Sequence, residues 1–447
     1  MRVAVVGCGY VGLVSAVGLA TIGHDVVGID ADAERVETLA RGETPFHEPG
    51  LAASLGAVVE SGRFVVSGSL AEAVSADVVL LCVQTPPLEG GDVELRFLED
   101  AAERLASVLA EDARRRRVVA IRSTVPPGTN ERGVAPLLAR EEIAVVSNPE
   151  FLREGSALDD FLHADRVVVG VRESWAAETM TELYAPLATD LIVTTPATAE
   201  LAKYTSNAFL ATLVSFSNEI GRLCEATPGV DVEDVLGILH RDRRLQAGAA
   251  GPPATAAIVS YLKAGCGFGG SCLPKDLSAL ISYAHRIGEP AELLRAVDAV
   301  NRGQSTRLVV QVERRLGSLE GRKIAVLGAA FKAGTDDLRD SPGLRVVAEL
   351  LARGATVSVY DPLVAPERLR AALPASGADV AASLDEATRG VAACVVTTLE
   401  PEFGAVANLV SSANGNSPIV VDGRRALDPG DFAARRYLGV GRADEWS

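Results

Sequence analysis

The stretch VAVVGCGYVG, Val3 to Gly12, constrains the fold of this chain more than any other. An apolar β-rich run leads into Gly7, Gly9 and Gly12 in the spacing GxGxxG, and a helical pattern follows. Gly7 permits a tight turn, Gly9 lets a pyrophosphate approach the backbone, and Gly12 lets the helix pack on the strand. Tyr10 and Val11 fall at the helix start. The next strand pattern, DVVGID, ends in Asp30, at the spacing of a carboxylate that binds a ribose 2′-hydroxyl. Together these predict a βαβ dinucleotide-binding unit. Asp30 repels a 2′-phosphate, which favours NAD over NADP. Arg35 can reach the adenosine end and weakens that preference.

The alternation continues beyond this unit. The runs RVAVVG, HDVVGID, FVVSG, DVVLLCV, RVVAIRST, IAVVSNPE and RVVVGV are separated by helical patterns, the mark of a doubly wound parallel sheet. From about Ala197, TAELAKYTSNAFLATLVSFSNEIGRLCEAT reads as one long helix, and helical segments continue to about Leu316. RKIAVLGAAF then opens a second α/β section. The predicted architecture is α/β: two Rossmann-like doubly wound parallel-sheet domains, residues 1–196 and 317–447, joined by a central helical region, residues 197–316. A length of 447 residues suits two or three domains. The segment QAGAAGPPATAA, Gln246 to Ala257, is predicted to be a flexible surface loop.

A formal net charge of −16 argues against sequence-independent binding to nucleic acid or to anionic membranes. The run Arg114 to Arg117 reads as the solvated end of a helix. The six cysteines show no zinc-type spacing, and Cys82 and Cys394 lie in apolar strand runs. The chain opens on a strand rather than a signal peptide, and no apolar segment is long enough to span a bilayer. A cytoplasmic protein with reduced thiols is therefore expected.

The stretch GCGFGGSCLPKDL, Gly265 to Leu277, carries the chemistry. Pro274 suits the first turn of a helix, which puts Ser271 and Cys272 at its N-terminus. Free N–H groups there favour a nucleophilic thiolate. Asp276 falls one turn on, within reach of a water or proton near the sulfur. Gly267, Gly269 and Gly270 are expected to leave room for a substrate against the backbone. Cys266 has no charged neighbours and reads as packing. On the long helix Lys203 and Asn207 are four apart, with Glu200 on the same side. A lysine and an amide that converge on the cysteine stabilise an oxyanion; the same pair also fits a solvated helix face. In SNPEFLREGSALDDF, Glu150 and Glu154 are flanked by Phe151 and Leu152. A partly buried carboxylate there suits general acid–base work, and an acid-rich helix start is the alternative.

GCGYVGLVSAVGLA, STVPPGT, NPEFLREGSA, KYTSNAFLATLVSFSNEI, GFGGSCLPKDL and FKAGTDDLRDSP together resemble the nucleotide-sugar 6-dehydrogenases, a family that includes UDP-glucose and GDP-mannose 6-dehydrogenases. The resemblance covers nearly the whole chain. It implies NAD-dependent oxidation of a sugar C6 alcohol, through an aldehyde and a thiohemiacetal and thioester on Cys272, to the uronic acid. UDP-glucose is the first choice of substrate; GDP-mannose, dTDP-glucose and a UDP-N-acetylhexosamine are the alternatives. The resemblance implies that Lys203 and Asn207 stabilise oxyanions, that Asp276 and Glu150 handle protons and water, and that Thr124 holds the water. Thr85, beside Gln84 and Pro86, joins Ser123, Thr124, Glu154, Lys275 and Arg339 at the dinucleotide.

For the substrate, the same resemblance implies Glu150, Phe151, Leu152, Arg153, Glu154, Lys203, Asn207, Tyr261 and Gly269, with Lys263, Lys332 and Arg424 as cations for the diphosphate. It implies that Arg244, or Arg243, reaches a neighbouring subunit's substrate, hence a homodimer or higher homo-oligomer with the long helix as a contact. Three departures stand out: the added loop after Arg244, Gln84 before Thr-Pro, and Leu273 where an aromatic often follows the cysteine. Two other classes compete. A two-electron hydroxyacid dehydrogenase shares the first domain and a Lys/Asn helix, but not Cys272 or the second α/β section. A non-catalytic dinucleotide sensor needs neither Cys272 nor the cations.

Overall fold

Apolar runs without a polar face need cover on both sides, and alternating strands with helices supplies it. In the computed structural model, which describes residues 1–112, 114–247, 254–411, 418–433 and 436–443, the chain forms two compact units, Met1–Ser206 and Asn207–Ser447. The first holds β1 Arg2–Val6, β2 Asp25–Ile29, β3 Phe64–Ser67, β4 Val78–Leu81, β5 Arg117–Ile121, β6 Ile143–Ser147, β7 Val167–Gly170 and β8 Leu191–Thr194. They make one sheet in the order β3-β2-β1-β4-β5-β6-β7-β8. Every residue of β4 and β5 is buried. The core is built from Val, Leu and Ala, as the scarcity of aromatics implies.

One pairing departs from the expected parallel sheet: β7 meets β6 antiparallel, at Ser147 and Gly170, and β8 pairs parallel with β7. The chain between β6 and β7 spends its length on the helix Tyr10–Thr21 instead of crossing the sheet. Its own helix, Ala157–Leu162, seats the Phe161 ring against Gly18, where any Cβ would collide with it. The arginine run also differs from its reading. The helix ends at Leu109, and Arg117 begins β5 at 1% exposure. Its guanidinium donates to the carbonyls of Val74, Asp112 and Arg115 and pairs with the Asp112 carboxylate at 3.0 Å, so it closes a helix end from inside the protein.

The second unit carries β9 Gln246–Ala247 and β10 Ala254–Thr255, a short antiparallel pair, then β11 Lys323–Leu327, β12 Thr356–Tyr360, β13 Ala378–Val380, β14 Ala393–Val396, β15 Ile419–Asp422 and β16 Tyr437–Gly439. Residues 248–253 of the expected loop lie outside the described residues. The last six strands form a parallel sheet ordered β13-β12-β11-β14-β15-β16, the 3-2-1-4-5-6 order that also opens the first sheet. The helix Glu292–Leu316 buries Leu308, Val309 and Val312 in the same cluster as Ile324, Val326 and Val346. Cys224, Val232 and Leu236 join that cluster, whereas Ala208, Ala211, Phe268, Leu277 and Val297 form a separate one. The long helix runs unbroken from Pro196 to Glu225. All six cysteines are free thiols.

Candidate active site

In the first unit the glycine motif behaves as its spacing predicts. Gly7 takes φ +91°, and a Cβ there would lie 2.8 Å from the Cys82 carbonyl oxygen. A Cβ on Gly12 would overlap the Gly7 carbonyl, whereas at Gly9 nothing lies within 4 Å. The helix Tyr10–Thr21 starts at Gly9 without a side-chain cap, so its first N–H groups, those of Tyr10 and Val11 among them, suit a phosphate. Asp30 is buried; its carboxylate accepts from the N–H groups of Cys8 (2.7 Å) and Asp32 (2.9 Å) and pairs with Arg35 at 3.0 Å. Arg35 is thereby drawn to Asp30, which keeps a carboxylate at the strand end suited to a ribose diol. These residues fit a bound NAD.

The ends of β4 and β5 are tied together beside this cradle. Thr85 donates to the Thr124 carbonyl at 3.0 Å, and Ser123 to the Val83 carbonyl at 2.6 Å. A pocket opens here, lined by Ser123, Thr124, Ser147, Pro149, Glu200 and Lys203. Lys203 is 3% exposed and pairs with Glu150, 5% exposed, at 3.1 Å, while Phe151 lies under its ammonium at 5.5 Å. The Lys203 face of the long helix is therefore not solvated in this unit. Glu200, one turn earlier, accepts from the N–H groups of Gly128 and Asn130 and from the Ser147 hydroxyl. Burial raises its pKa, although these hydrogen bonds act in the opposite direction. The segment holding Glu150 to Glu154 is irregular, not a helix start, and Arg153 pairs with Asp160 at 2.5 Å on its exposed side. The Leu152 N–H donates to Glu150 at 2.5 Å.

In the second unit Cys272 is the N-cap of the helix Leu273–Arg286, with Pro274 in its first turn, as the sequence predicts. Its sulfur is 3.4 Å from the Ser271 hydroxyl. Asp276 is 1% exposed and accepts from Asn207 at 2.6 Å and from Lys275 at 2.7 Å. Asn207 and Lys275 thus converge on a carboxylate one turn from the cysteine. The glycines of this loop do not leave open space. A Cβ at Gly267 would sit 2.6 Å from Asn301, one at Gly270 2.8 Å from the Phe331 ring, and one at Gly269 against the Asp340 carbonyl. They are required by the close seating of the loop on its own unit, and Gly267 and Gly270 also by φ of +98° and +84°.

Sequence reasoning missed the residues that seat this loop. Asn218 accepts from the Gly265 N–H at 2.7 Å, Gln304 donates to the Gly265 carbonyl at 2.8 Å, Asn301 accepts from the Phe268 N–H at 2.8 Å, and Arg345 donates to the Phe268 carbonyl at 3.0 Å. The available signal is polar residues in register with the apolar positions of their helices, as Asn301 and Gln304 are with Val297, Val300 and Leu308; Asn218 lies three turns beyond Asn207. The loop also meets the ends of the second sheet. Cys266, fully buried, donates its N–H to the Gly423 carbonyl at 2.7 Å, and Gly270 to the Arg339 carbonyl at 2.9 Å.

The expected cations gather unevenly. Arg424 donates to the carbonyls of Thr397 (2.9 Å) and Phe331 (3.2 Å), and Lys332 lies 5.7 Å from the Phe331 ring. Lys263 is exposed two residues before Gly265, which abuts Arg424. Arg339 folds onto Asp337 at 2.6 Å, and Tyr261 ends a short 3-10 turn, Ala257–Tyr261. Arg244 is 87% exposed and bonds Asp242 at 2.5 Å, holding that carboxyl below the usual range; Arg243 lies in the same turn.

The chain matches three models of the UDP-glucose/GDP-mannose dehydrogenase family: the NAD binding domain over residues 1–188, the central domain over 197–303 and the UDP binding domain over 325–429. It is 39% identical over 460 residues to a UDP-glucose 6-dehydrogenase of Pseudomonas aeruginosa, across 99% of this chain and 98% of that one. It is 33% identical to a GDP-mannose 6-dehydrogenase of Azotobacter vinelandii, across 100% of both. The solved structure of a UDP-glucose dehydrogenase from Pyrobaculum islandicum is similar, with 38% identity, a TM-score of 0.88 and coverage of 99% of this chain and 98% of that one. Among the described residues no helix is long and apolar enough to cross a membrane.

Proposed function

This chain belongs to the UDP-glucose/GDP-mannose dehydrogenase family, and from that membership we propose that it oxidises UDP-glucose to UDP-glucuronate through a covalent intermediate on Cys272. NAD, when bound, accepts a hydride, and two are consumed per sugar. The C6 alcohol loses a hydride and a proton to give the aldehyde. The Cys272 sulfur adds to that carbonyl, forming a C–S bond and an alkoxide that takes up a proton. Loss of the second hydride and a proton leaves the thioester; water then breaks the C–S bond, releasing the carboxylate and the thiol. Asp276, held by Asn207 and Lys275, is assigned the proton transfers. Lys203 and Asn207 are assigned to the developing oxyanions, and Glu150 and Thr124 to water. Lys263, Lys332 and Arg424 are assigned to the diphosphate.

The observation that carries this reading is Cys272 at a helix start with a buried, doubly held carboxylate one turn away. Incubating the protein with NAD and UDP-glucose, GDP-mannose, dTDP-glucose or a UDP-N-acetylhexosamine tests it. The expected result is the highest kcat/KM on UDP-glucose, with two NADH per sugar and little free aldehyde. A preference for GDP-mannose reassigns the substrate, and one NADH per sugar with released aldehyde removes the covalent step.

A homodimer is also proposed. Phe209, Phe216 and Leu223 recur every seven residues on the long helix at 54%, 47% and 61% exposure, an apolar stripe that a second copy would cover. Sedimentation should give a dimer at micromolar concentration, and Phe209→Glu with Phe216→Glu a monomer. A monomeric wild type removes the proposal.

A further inference from the structure

Glu48 belongs to none of the motifs read from the sequence. It lies between the helices Ala33–Ala40 and Leu51–Glu60 and is 5% exposed. Its carboxylate accepts three hydrogen bonds from two other parts of the first unit: the Tyr10 hydroxyl, the Gly155 N–H at 2.8 Å and the Ala157 N–H at 2.7 Å. All three partners are donors, which an ionised carboxylate satisfies and an amide does not. Phe46, two residues earlier, sets its ring 4.9 Å from that of Tyr10. Burial and the bond to Glu48 push the Tyr10 pKa well up, so its hydroxyl stays a donor.

The partners are informative. Tyr10 is the first residue of the helix behind the glycine motif. Gly155 and Ala157 close the irregular segment that carries Glu150, the partner of Lys203. The helix Ala157–Leu162 receives no side-chain cap from its own Ser156. Glu48 supplies that acceptor from elsewhere in the chain. The Ser156 hydroxyl lies instead within hydrogen-bond reach of the Arg153 carbonyl and the Asp160 carboxylate, and a cap alone does not need a tie to Tyr10.

We propose that Glu48 is a positioning residue that holds the start of the dinucleotide-binding helix and the Glu150 segment in one register, so that the cofactor and the Glu150–Lys203 pair meet the sugar C6 together. This rests on the proposed function. Small displacements of reacting groups cost up to about 100-fold in rate.

The test compares wild type, Glu48→Gln, Tyr10→Phe and the double variant with NAD and UDP-glucose, normalising kcat to folded protein by near-UV circular dichroism. Glu48→Gln is expected to lower kcat about 10- to 100-fold, with both KM values and the equilibrium affinity for NAD changed less than about threefold. Tyr10→Phe should shift kcat in the same direction by a smaller factor, and it keeps the test open if Glu48→Gln does not fold. The double variant should be no slower than Glu48→Gln, because both changes remove one tie. Unchanged kcat per folded molecule, even with a lowered melting temperature, reduces Glu48 to a helix cap and overturns the proposal, as do multiplicative effects. A wild type that does not turn over UDP-glucose counts against the proposed function. Variants equal to an active wild type count against Glu48 alone.

Discussion

Cys272→Ala should abolish uronate formation, with a loss of at least about three orders of magnitude in turnover, while NAD binding survives. The two outcomes separate because the residues that fit NAD around Gly9 and Asp30 belong to the first unit and Cys272 to the second. The alanine keeps the backbone of the N-cap, and the helix Leu273–Arg286 receives no side-chain cap from the cysteine that could be lost. A folding defect is therefore not the expected cause. Cys266→Ala is the control. That thiol is fully buried, its sulfur lies 3.5 Å from the Thr397 carbonyl, and burial raises its pKa. It should cost stability through packing and leave turnover within a few-fold. The measurements are NADH per sugar, uronate by chromatography and NAD affinity by fluorescence. Full uronate production by Cys272→Ala would falsify the covalent route.

Lys203→Met should destabilise the first unit strongly. It removes one member of a buried ion pair and leaves Glu150, at 5% exposure, without its cation. Breaking such a pair costs about 3–5 kcal/mol, because the remaining charge stays desolvated. Lys203→Met with Glu150→Gln should recover a substantial part of that loss, since no lone charge then remains. Turnover should not recover in the double variant, because both side chains are assigned to the chemistry. Urea denaturation measures the first effect and steady-state kinetics the second. If the double variant is as unstable as the sum of the two singles, the ion pair is not the source of the loss.

The local features of this protein were legible in its sequence. A strand, a glycine motif and a helix follow from chain-near physics: φ at Gly7, the missing Cβ at Gly12 and the acid at the end of β2 all act within thirty residues. The same holds for Cys272, whose place at a helix start follows from Pro274 two residues on. Tertiary structure alone decided which polar groups meet. Asn207 and Asp276 are 69 residues apart and Glu48 and Ala157 109, and nothing in a residue's neighbours announces a partner at that distance. It also decided the purpose of the loop glycines, which admit Asn301, Asp340 and Phe331 rather than open space. The burial of Arg117 is illegible in the sequence for the same reason. A charge at a helix end is solvated by default, and the backbone carbonyls of Val74, Asp112 and Arg115 together with the Asp112 carboxylate make its burial favourable. Sequence specifies the elements through short-range sterics and periodicity. The pairing of buried polar groups depends on where the core closes, because desolvation makes an unmet partner costly only once water has been excluded.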